Sequence, residues 1–268
     1  MTTPSVMVLR AAGTNCEAET AYAFERFGAR TETVHVNRLL EAPDRLQHHH
    51  VLAVPGGFAY GDDAGAGAVL ACEMGSVLAG PLVRFVEHGG LVLGICNGFQ
   101  ALVRLGLLPG LSRPLGEQEL SLADNDSLKY EDRWVRLAIA SRRCAFVGDM
   151  EPPELPIAHG EGKIVARDED VRRRLVDEDR VVFRYCDEDG KPTQRYPDNP
   201  NGSEDAIAGL TDRTGRVLGL MPHPERALFG YHHPEWTRRA RATGGAPPDL
   251  GPGAPLFANA CQWVRANR

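Results

Sequence analysis

The sequence has no apolar run long enough to cross a bilayer and no excess of basic residues. It carries 30 Lys and Arg against 36 Asp and Glu, which gives a formal net charge of -6 at pH 7. A transmembrane helix needs about 20 consecutive apolar residues, and a nucleic-acid-binding surface needs clustered cations. We therefore expect no membrane span and no nucleic-acid partner. The opening MTTPSVMVLRAAG also lacks a charged leader followed by a long apolar segment, so we expect a cytoplasmic protein.

The six cysteines form no CxxC pair and have no regular spacing. A zinc site or a disulfide framework normally shows one of those patterns, so we expect neither, and no metal in this chain. The run His48, His49, His50 offers three possible ligands, but consecutive side chains diverge on a helix or a strand. That run favours a solvated loop.

Short apolar runs alternate with longer amphipathic ones in the first 110 residues. The strand-like runs are nearly all apolar, which is typical of a parallel sheet covered by helices on both faces. Strands are predicted at Val6–Leu9, Thr31–Val36, Val51–Val54 and Leu91–Ile95. Helices are predicted at Glu17–Phe27, at Val77–Glu87, and from Asn97 to a stop at Pro109.

Beyond Pro109 the apolar pieces are shorter and are separated by turns, which predicts a small antiparallel extension of the sheet. These pieces are Trp134–Ile139, Val181–Tyr185, Ala206–Leu210 and Arg216–Met221. We expect one α/β domain over residues 1–268, with a mostly parallel central sheet and a core at about 5–230. A Pro/Gly-rich irregular loop is predicted at 231–255, and a closing helix at 256–265.

The segment GICNG places Cys96 between a predicted strand and a predicted helix, with glycine two residues to either side. That is the context of a nucleophile elbow, in which glycine lets strand and helix approach closely at a strained turn. The helix N-terminus favours the thiolate form of Cys96. The N–H of Asn97 then points to where an oxyanion would form.

A second oxyanion donor is predicted in the turn PGGFAYGD, which follows another buried strand. We assign it to Gly57. The alternative is that Gly56 and Gly57 serve only to make a tight turn.

The segment MPHPER places His223 and Glu225 two residues apart between prolines. Proline favours an extended backbone, in which residues i and i+2 face the same side. His223 can then act as general base and acid, while Glu225 holds its tautomer. A His-x-Glu pair alone is common, so the assignment of His223 and Glu225 as a catalytic pair depends on the nucleophile elbow at Cys96 and on the flanking prolines.

These three segments, GICNGFQ, PGGFAYGD and MPHPER, resemble the signatures of class I, triad-type glutamine amidotransferases. Four further segments, in matching order, resemble the glutaminase subunit of phosphoribosylformylglycinamidine synthase. They are GTNCE (13–17), NDSLKYEDRW (125–134), AHGEGK (158–163) and YPDNPNGS (196–203). The resemblance runs from about Ser5 to Arg226.

The resemblance implies that Cys96, His223 and Glu225 are a catalytic triad that hydrolyses L-glutamine. It also implies a large synthetase subunit, which uses ATP and the ammonia to make formylglycinamidine ribonucleotide in purine synthesis, and a small bridging subunit. The glutamine pocket is expected to include Gly56, Phe58, Gln100 and His159. His159 and Glu161 could instead form a second acid-base pair or an interface loop.

The sequence has no phosphate-binding loop, since GDDAGAG is not followed by the required lysine and hydroxyl. We therefore expect no cofactor in this chain, with ATP and Mg on the synthetase partner. Asp63, Ala64 and Gly65 stand where the family usually has an aromatic residue and an arginine, so the partner-facing or pocket contact of that arginine is not carried over to this chain.

Two alternatives remain. One is another cysteine-elbow hydrolase, although in α/β-hydrolases the acid precedes the histidine. The other is a non-catalytic homologue that keeps the fold, which loss of a triad residue would have indicated.

Overall fold

The computed structural model of the chain describes residues 2–242 and 244–268. The strands are Ser5–Arg10 (β1), Arg30–His35 (β2), Val51–Val54 (β3), Leu91–Ile95 (β4), Leu120–Asp124 (β5), Glu131–Ile139 (β6), Glu154–His159 (β7), Glu161–Ala166 (β8), Val181–Cys186 (β9), Ile207–Thr211 (β10) and Val217–Leu220 (β11). The α-helices are Glu17–Glu25 (α1), Val36–Glu41 (α2), Ala68–Val77 (α3), Ala79–Glu87 (α4), Asn97–Arg104 (α5), Glu169–Asp177 (α6), Trp236–Ala242 (α7) and Ala254–Asn267 (α8).

The central sheet has nine strands in the order β2-β1-β3-β4-β11-β10-β9-β6-β7. The pairs from β2 to β11 are parallel, and those from β11 to β7 are antiparallel. The predicted α/β class, with a mostly parallel sheet and an antiparallel extension, is confirmed. Strands β5 and β8 form a separate antiparallel pair.

The middle strands β3, β4, β10 and β11 are buried along their whole length. A strand with both faces covered must be apolar throughout, and this is why VLAV and LVLGI read as continuous apolar runs. At the antiparallel edge, β7 instead alternates buried and partly exposed side chains. The carboxyl ends of β3 and β4 therefore lie side by side at the centre of the sheet, where a site is expected.

The structure corrects three of the predicted elements. The predicted helix Val77–Glu87 is α4, and a separate helix, α3, precedes it at an 80° bend. Residues 231–255 are not wholly irregular, since they contain α7. The closing helix is longer than predicted, at Ala254–Asn267, because the chain enters it through Pro255 in its first turn, where proline fits.

Other elements were not predicted at all, namely α2, α6 and the strands β5, β7 and β8. In α6 the buried side chains are only Val171 and Leu175, among charged neighbours, and the side chain of Asp168 caps the helix by accepting from the N–H of Val171.

Within the described residues no single helix is both long and apolar enough to cross a bilayer, although the bent pair of α3 and α4 passes the same criteria of length and composition.

Candidate active site

Cys96 lies between β4 and α5, with φ 50° and ψ -106°. This is a strained conformation for a residue with a side chain, and such strain is typical of a nucleophile elbow. The second glycine of the motif, Gly98, is required for steric reasons, because a Cβ there would lie 1.8 Å from the carbonyl oxygen of Val54. Cys96 is 5% exposed, and its thiol points toward the carbonyl oxygen of Ala158, 3.7 Å away.

Asn97 begins α5, so its backbone N–H has no partner within the helix. Its side chain holds the neighbouring turn in place. The amide oxygen accepts from the N–H of Ala59 at 3.1 Å, and the amide nitrogen donates to Asp62 at 3.0 Å and to Gln100 at 3.1 Å. The elbow and the turn after β3 are thus joined by one buried side chain.

Gly57 lies in that turn with φ 144°, and a Cβ there would lie 2.8 Å from the backbone nitrogen of Asn15. It is bridged to Thr14, through bonds from Phe58 to Gly13 and from Asn15 to Gly56. Those two bonds do not use the N–H of Gly57 itself. Gly57 lines the same cavity as Cys96, as expected for an oxyanion donor.

His223 and Glu225 form a buried pair, with Nδ1 of His223 2.6 Å from Oε1 of Glu225. The predicted contact is present, but its predicted cause is only half right. His223 is extended, whereas Pro224–Ala227 form a short 3-10 helix that begins at the second proline. That tight turn brings the carboxylate to the ring. The N–H of His223 is anchored on the carbonyl oxygen of Pro156 at 2.8 Å.

The pair controls the charge of the imidazole. Burial alone lowers the pKa of His223, but the negative charges of the Glu225 carboxylate and next of the Cys96 sulfur in its thiolate form outweigh burial and hold the pKa well above its usual value. The raised pKa favours the imidazolium form of His223 beside Cys96. Its Nε2 is buried without a hydrogen-bond partner among the described residues, so it is available for proton transfer.

Cys16 lies against the same histidine, which the sequence did not predict. Atoms of Cys16, His223 and Glu225 that could bind a metal lie within 4.8 Å of one another. The Cys16 thiol, however, donates to Oδ1 of Asn15 at 3.1 Å and accepts from Nη2 of Arg226 at 3.0 Å. A guanidinium at that distance repels a cation, so the charges around the sulfur oppose metal binding.

Gly56 packs against this cluster, since a Cβ there would lie 2.7 Å from Cε1 of His223. Gly56 was expected in the glutamine pocket. It lies beside His223 instead and does not line the cavity.

A cavity of about 250 Å³ opens at Cys96. This is below the range of about 300 to 1,000 Å³ usual for drug-sized ligands, and it suits a molecule the size of an amino acid. The residues that line it come from the turn after β3, from α5, and from the loops around β5 and β7. They are Gly57, Phe58, Asp62, Ala66, Cys96, Gln100, Asp124, Leu128, Lys129, Tyr130, Ala158, His159, Gly160 and Glu161.

Three of the four residues expected in the glutamine pocket line this cavity. Phe58 is 44% exposed, and its ring lies 6.4 Å from that of Tyr130. Gln100 is braced at both ends, since it donates to the carbonyl oxygen of Glu161 and accepts from Asn97. His159 is 3% exposed and pairs with Asn125.

Of the unusual residues Asp63, Ala64 and Gly65, the last lies beside Arg104. A Cβ at Gly65 would be 2.7 Å from Nη2 of Arg104. The same guanidinium donates to the carbonyl oxygen of Ala66 at 2.8 Å, and Glu161 accepts from the N–H of Ala66 at 3.2 Å. In this chain Arg104 of α5 thus occupies the space beside residues 63–66, and Gly65, which has no side chain, leaves room for it.

Several residues of the site were not singled out from the sequence, namely Cys16, Asp62, Asn125, Tyr130 and Arg226. Burial raises the pKa of Asp62, although the N–H of Gly67 and the side chain of Asn97 oppose the shift. All five residues lie within the segments that carry the family resemblance, and that resemblance was the signal that could have identified them.

Comparison with known proteins agrees with this geometry. Residues 3–264 match the family described as CobB/CobQ-like glutamine amidotransferase domain. The chain is 44% identical to phosphoribosylformylglycinamidine synthase subunit PurQ of Dehalococcoides mccartyi over 267 residues, or 99% of each chain. It is also 44% identical to the protein of that name from Archaeoglobus fulgidus, over 84% of this chain and 88% of the relative.

A solved structure shows the same fold. PurLQS from Thermotoga maritima contains a chain that is 30% identical, with a TM-score of 0.72 over 98% of this chain and 100% of that one. On this evidence the chain belongs to the glutamine amidotransferases and, within them, to the PurQ subunits of phosphoribosylformylglycinamidine synthase.

Proposed function

We propose that this protein hydrolyses L-glutamine to glutamate and ammonia through a thioester on Cys96. The ammonia passes to a synthetase subunit that converts formylglycinamide ribonucleotide to formylglycinamidine ribonucleotide in purine biosynthesis. The observation that carries the proposal is the strained Cys96 next to the buried His223–Glu225 pair, at the wall of a small cavity.

The reaction begins with attack of the Cys96 sulfur on the carboxamide carbon of glutamine. His223 first holds the thiol proton and then gives it to the departing nitrogen, so ammonia leaves neutral. Water next attacks the thioester, with His223 as base, and glutamate and the thiol are restored. Glu225 keeps Nδ1 of His223 protonated and stabilises its positive charge throughout.

The negative charge that develops on the carbonyl oxygen needs donors that are already in position. The N–H groups of Asn97 and Gly57 serve this role, because the first begins a helix and the second is not used by the bridge to Thr14. Removing one such donor typically costs about 100- to 1,000-fold in kcat.

Phe58, Gln100 and His159 line the pocket for glutamine, and Gly56 supports His223 from behind. The role of this chain ends at ammonia. ATP and Mg belong to the synthetase partner, and a small third subunit bridges the two. The cytoplasm is the proposed location.

An affinity label tests the assignment of the nucleophile. A chloroketone analogue of glutamine should inactivate the protein, with L-glutamine protecting it, and peptide mass analysis should find one adduct, on Cys96. Label on Cys16 or Cys72 with Cys96 unmodified would contradict the proposal. Cys72 is exposed and Cys16 is buried, so the two controls differ in accessibility.

A further inference from the structure

The side chain of Asn97 has a fixed orientation. Its oxygen Oδ1 faces the backbone N–H of Ala59 at 3.1 Å, and a backbone N–H can only donate. Its nitrogen Nδ2 faces two acceptors, Oδ1 of Asp62 at 3.0 Å and Oε1 of Gln100 at 3.1 Å. Exchanging the oxygen and the nitrogen would bring two donors together at Ala59 and two acceptors together at Asp62. The contacts therefore allow one orientation of the amide.

The hydrogen bonds of this side chain form a closed set. Asn97 is 2% exposed, and both the nitrogen and the oxygen of its amide have partners within the protein. A buried polar group that is fully paired is held rigidly, and removal of one partner leaves another buried group unpaired. The side chain of Asn97 is thus a rigid connection between α5 and the turn that follows β3.

This connection joins the two groups assigned to the oxyanion. One is the backbone N–H of Asn97 itself, at the start of α5, and the other is the N–H of Gly57, two residues before Ala59. The opposite side of the same turn is held by the chain around Gly13, whose carbonyl oxygen accepts from the N–H of Phe58 at 2.9 Å. The Asn97 side chain therefore helps to set the position of the Gly57 turn relative to the helix that begins after the nucleophile.

Asp62 is itself held in place by its own loop. Its backbone has φ 55°, in the left-handed region, and its Oδ1 also accepts from the N–H of Gly67 at 3.4 Å. The oxygen that receives the bond from Asn97 is thus fixed by the turn that carries it. Because an ionised carboxylate can only accept, Asp62 keeps Nδ2 of Asn97 on its side and leaves Oδ1 of Asn97 for Ala59.

We propose that the side chain of Asn97, oriented by Asp62, positions the oxyanion hole by holding the Gly57 turn at the correct distance from the N–H of Asn97. The inference rests on the proposed glutaminase function, and it adds a side-chain role to a residue whose backbone alone was assigned one. A misplacement of about 1 Å can cost about 100-fold in rate. The oxyanion forms only during the reaction, so the loss should appear in kcat and not in the binding of glutamine.

Asn97→Ala removes the connection and keeps the backbone N–H of residue 97. The kcat for glutamate release, measured with the nucleotide-loaded synthetase partner, should fall about 10- to 100-fold. The Kd for L-glutamine, measured by calorimetry in the Cys96→Ala background, should change by less than about twofold. An unchanged kcat, or a Kd that weakens by the same factor as kcat, would overturn the proposal.

Two variants of Asp62 test the orientation of the amide. Asp62→Asn keeps an oxygen that can accept from Asn97, so kcat should fall less than about threefold, whereas Asp62→Ala removes that oxygen and should lower kcat about tenfold. Asp63→Asn is the matched control at an exposed neighbour and should leave kcat within about twofold of wild type. Equal losses in the two Asp62 variants would show that charge, and not the bond to Asn97, is what matters.

An exchange of the two side chains supplies a rescue. Asn97→Asp sets two carboxylates against each other, and adding Asp62→Asn restores one donor and one acceptor with their roles reversed. The kcat of the double variant should exceed that of Asn97→Asp by about threefold or more, and no recovery would overturn the proposal. Asp62 is only partly buried, so its two variants decide the question even where a variant of Asn97 does not fold. Failure of the proposed function itself would look different, since wild type would then release no glutamate.

Discussion

Nδ1 of His223 lies 2.6 Å from Oε1 of Glu225, and the two side chains are 3% and 0% exposed. A charge pair this well buried has little competition from water or salt, so the carboxylate controls the charge of the ring. The pair lies next to Cys96, and the main effect of the carboxylate is on the protonation of His223. The first two predictions concern this pair.

Replacing Glu225 by Gln should lower kcat by about 100- to 10,000-fold, because the amide can no longer stabilise an imidazolium at His223. The pKa of His223 should fall at the same time, since burial would then act with less opposition. Both would be measured from the rate of glutamate release against pH and from the NMR titration of the His223 ring. A variant with the wild-type pH profile would refute the assigned role of Glu225.

The same pair should make stability depend on pH. The pKa of His223 is raised above the ordinary value of 6.5, so its contribution to the free energy of unfolding is complete below that pH and is lost as pH rises through the folded-state pKa. The stability difference between wild type and Glu225→Gln should therefore shrink from about pH 6 upward. Urea unfolding at a series of pH values measures it, and a difference that grows with pH would contradict the account.

Replacing Gly98 by Ala should prevent the elbow from forming. The new Cβ would lie 1.8 Å from the carbonyl oxygen of Val54, and a backbone atom in the middle of the sheet cannot move aside. We expect a loss of about 3 kcal/mol or more in the free energy of unfolding. Gly245→Ala is the matched control, because no atom of residues 2–242 and 244–268 lies within 4 Å of the new Cβ, and it should change stability by less than about 0.5 kcal/mol.

Removing metal ions should leave glutamine hydrolysis unchanged. Although Cys16, His223 and Glu225 could together bind a metal, the Arg226 guanidinium lies 3.0 Å from the Cys16 sulfur. Dialysis against a chelator, with metal content measured before and after, tests the point. One tightly bound zinc per chain whose removal abolishes activity would show that the electrostatic argument is wrong.

The sequence predicted the parallel half of the sheet because β3 and β4 are buried on both faces and must be continuous apolar runs. It predicted the elbow at Cys96 because the two glycines, Gly94 and Gly98, stand in one short motif, although the carbonyl oxygen that position 98 must avoid belongs to Val54 in the neighbouring strand. A charged helix such as α6 has too weak an apolar stripe to be predicted, since only Val171 and Leu175 are buried.

Other parts of the site depend on residues far apart in the chain. Nδ1 of His159 contacts Oδ1 of Asn125, 34 residues away, and the sulfur of Cys16 meets Arg226 across 210 residues. No local pattern encodes such contacts. His223 and Glu225 are an intermediate case, where spacing predicted the pair but a 3-10 turn, not an extended backbone, brings it together.

The most direct test of the central claim is the rate of glutamate release from L-glutamine by wild type and by Cys96→Ala, each alone and with the nucleotide-loaded synthetase partner. We predict slow release by wild type alone, much faster release with the partner, and none above background for Cys96→Ala in either case. Full activity in Cys96→Ala would contradict the mechanism, and equal wild-type rates with and without the partner would contradict the coupling of ammonia release to synthesis.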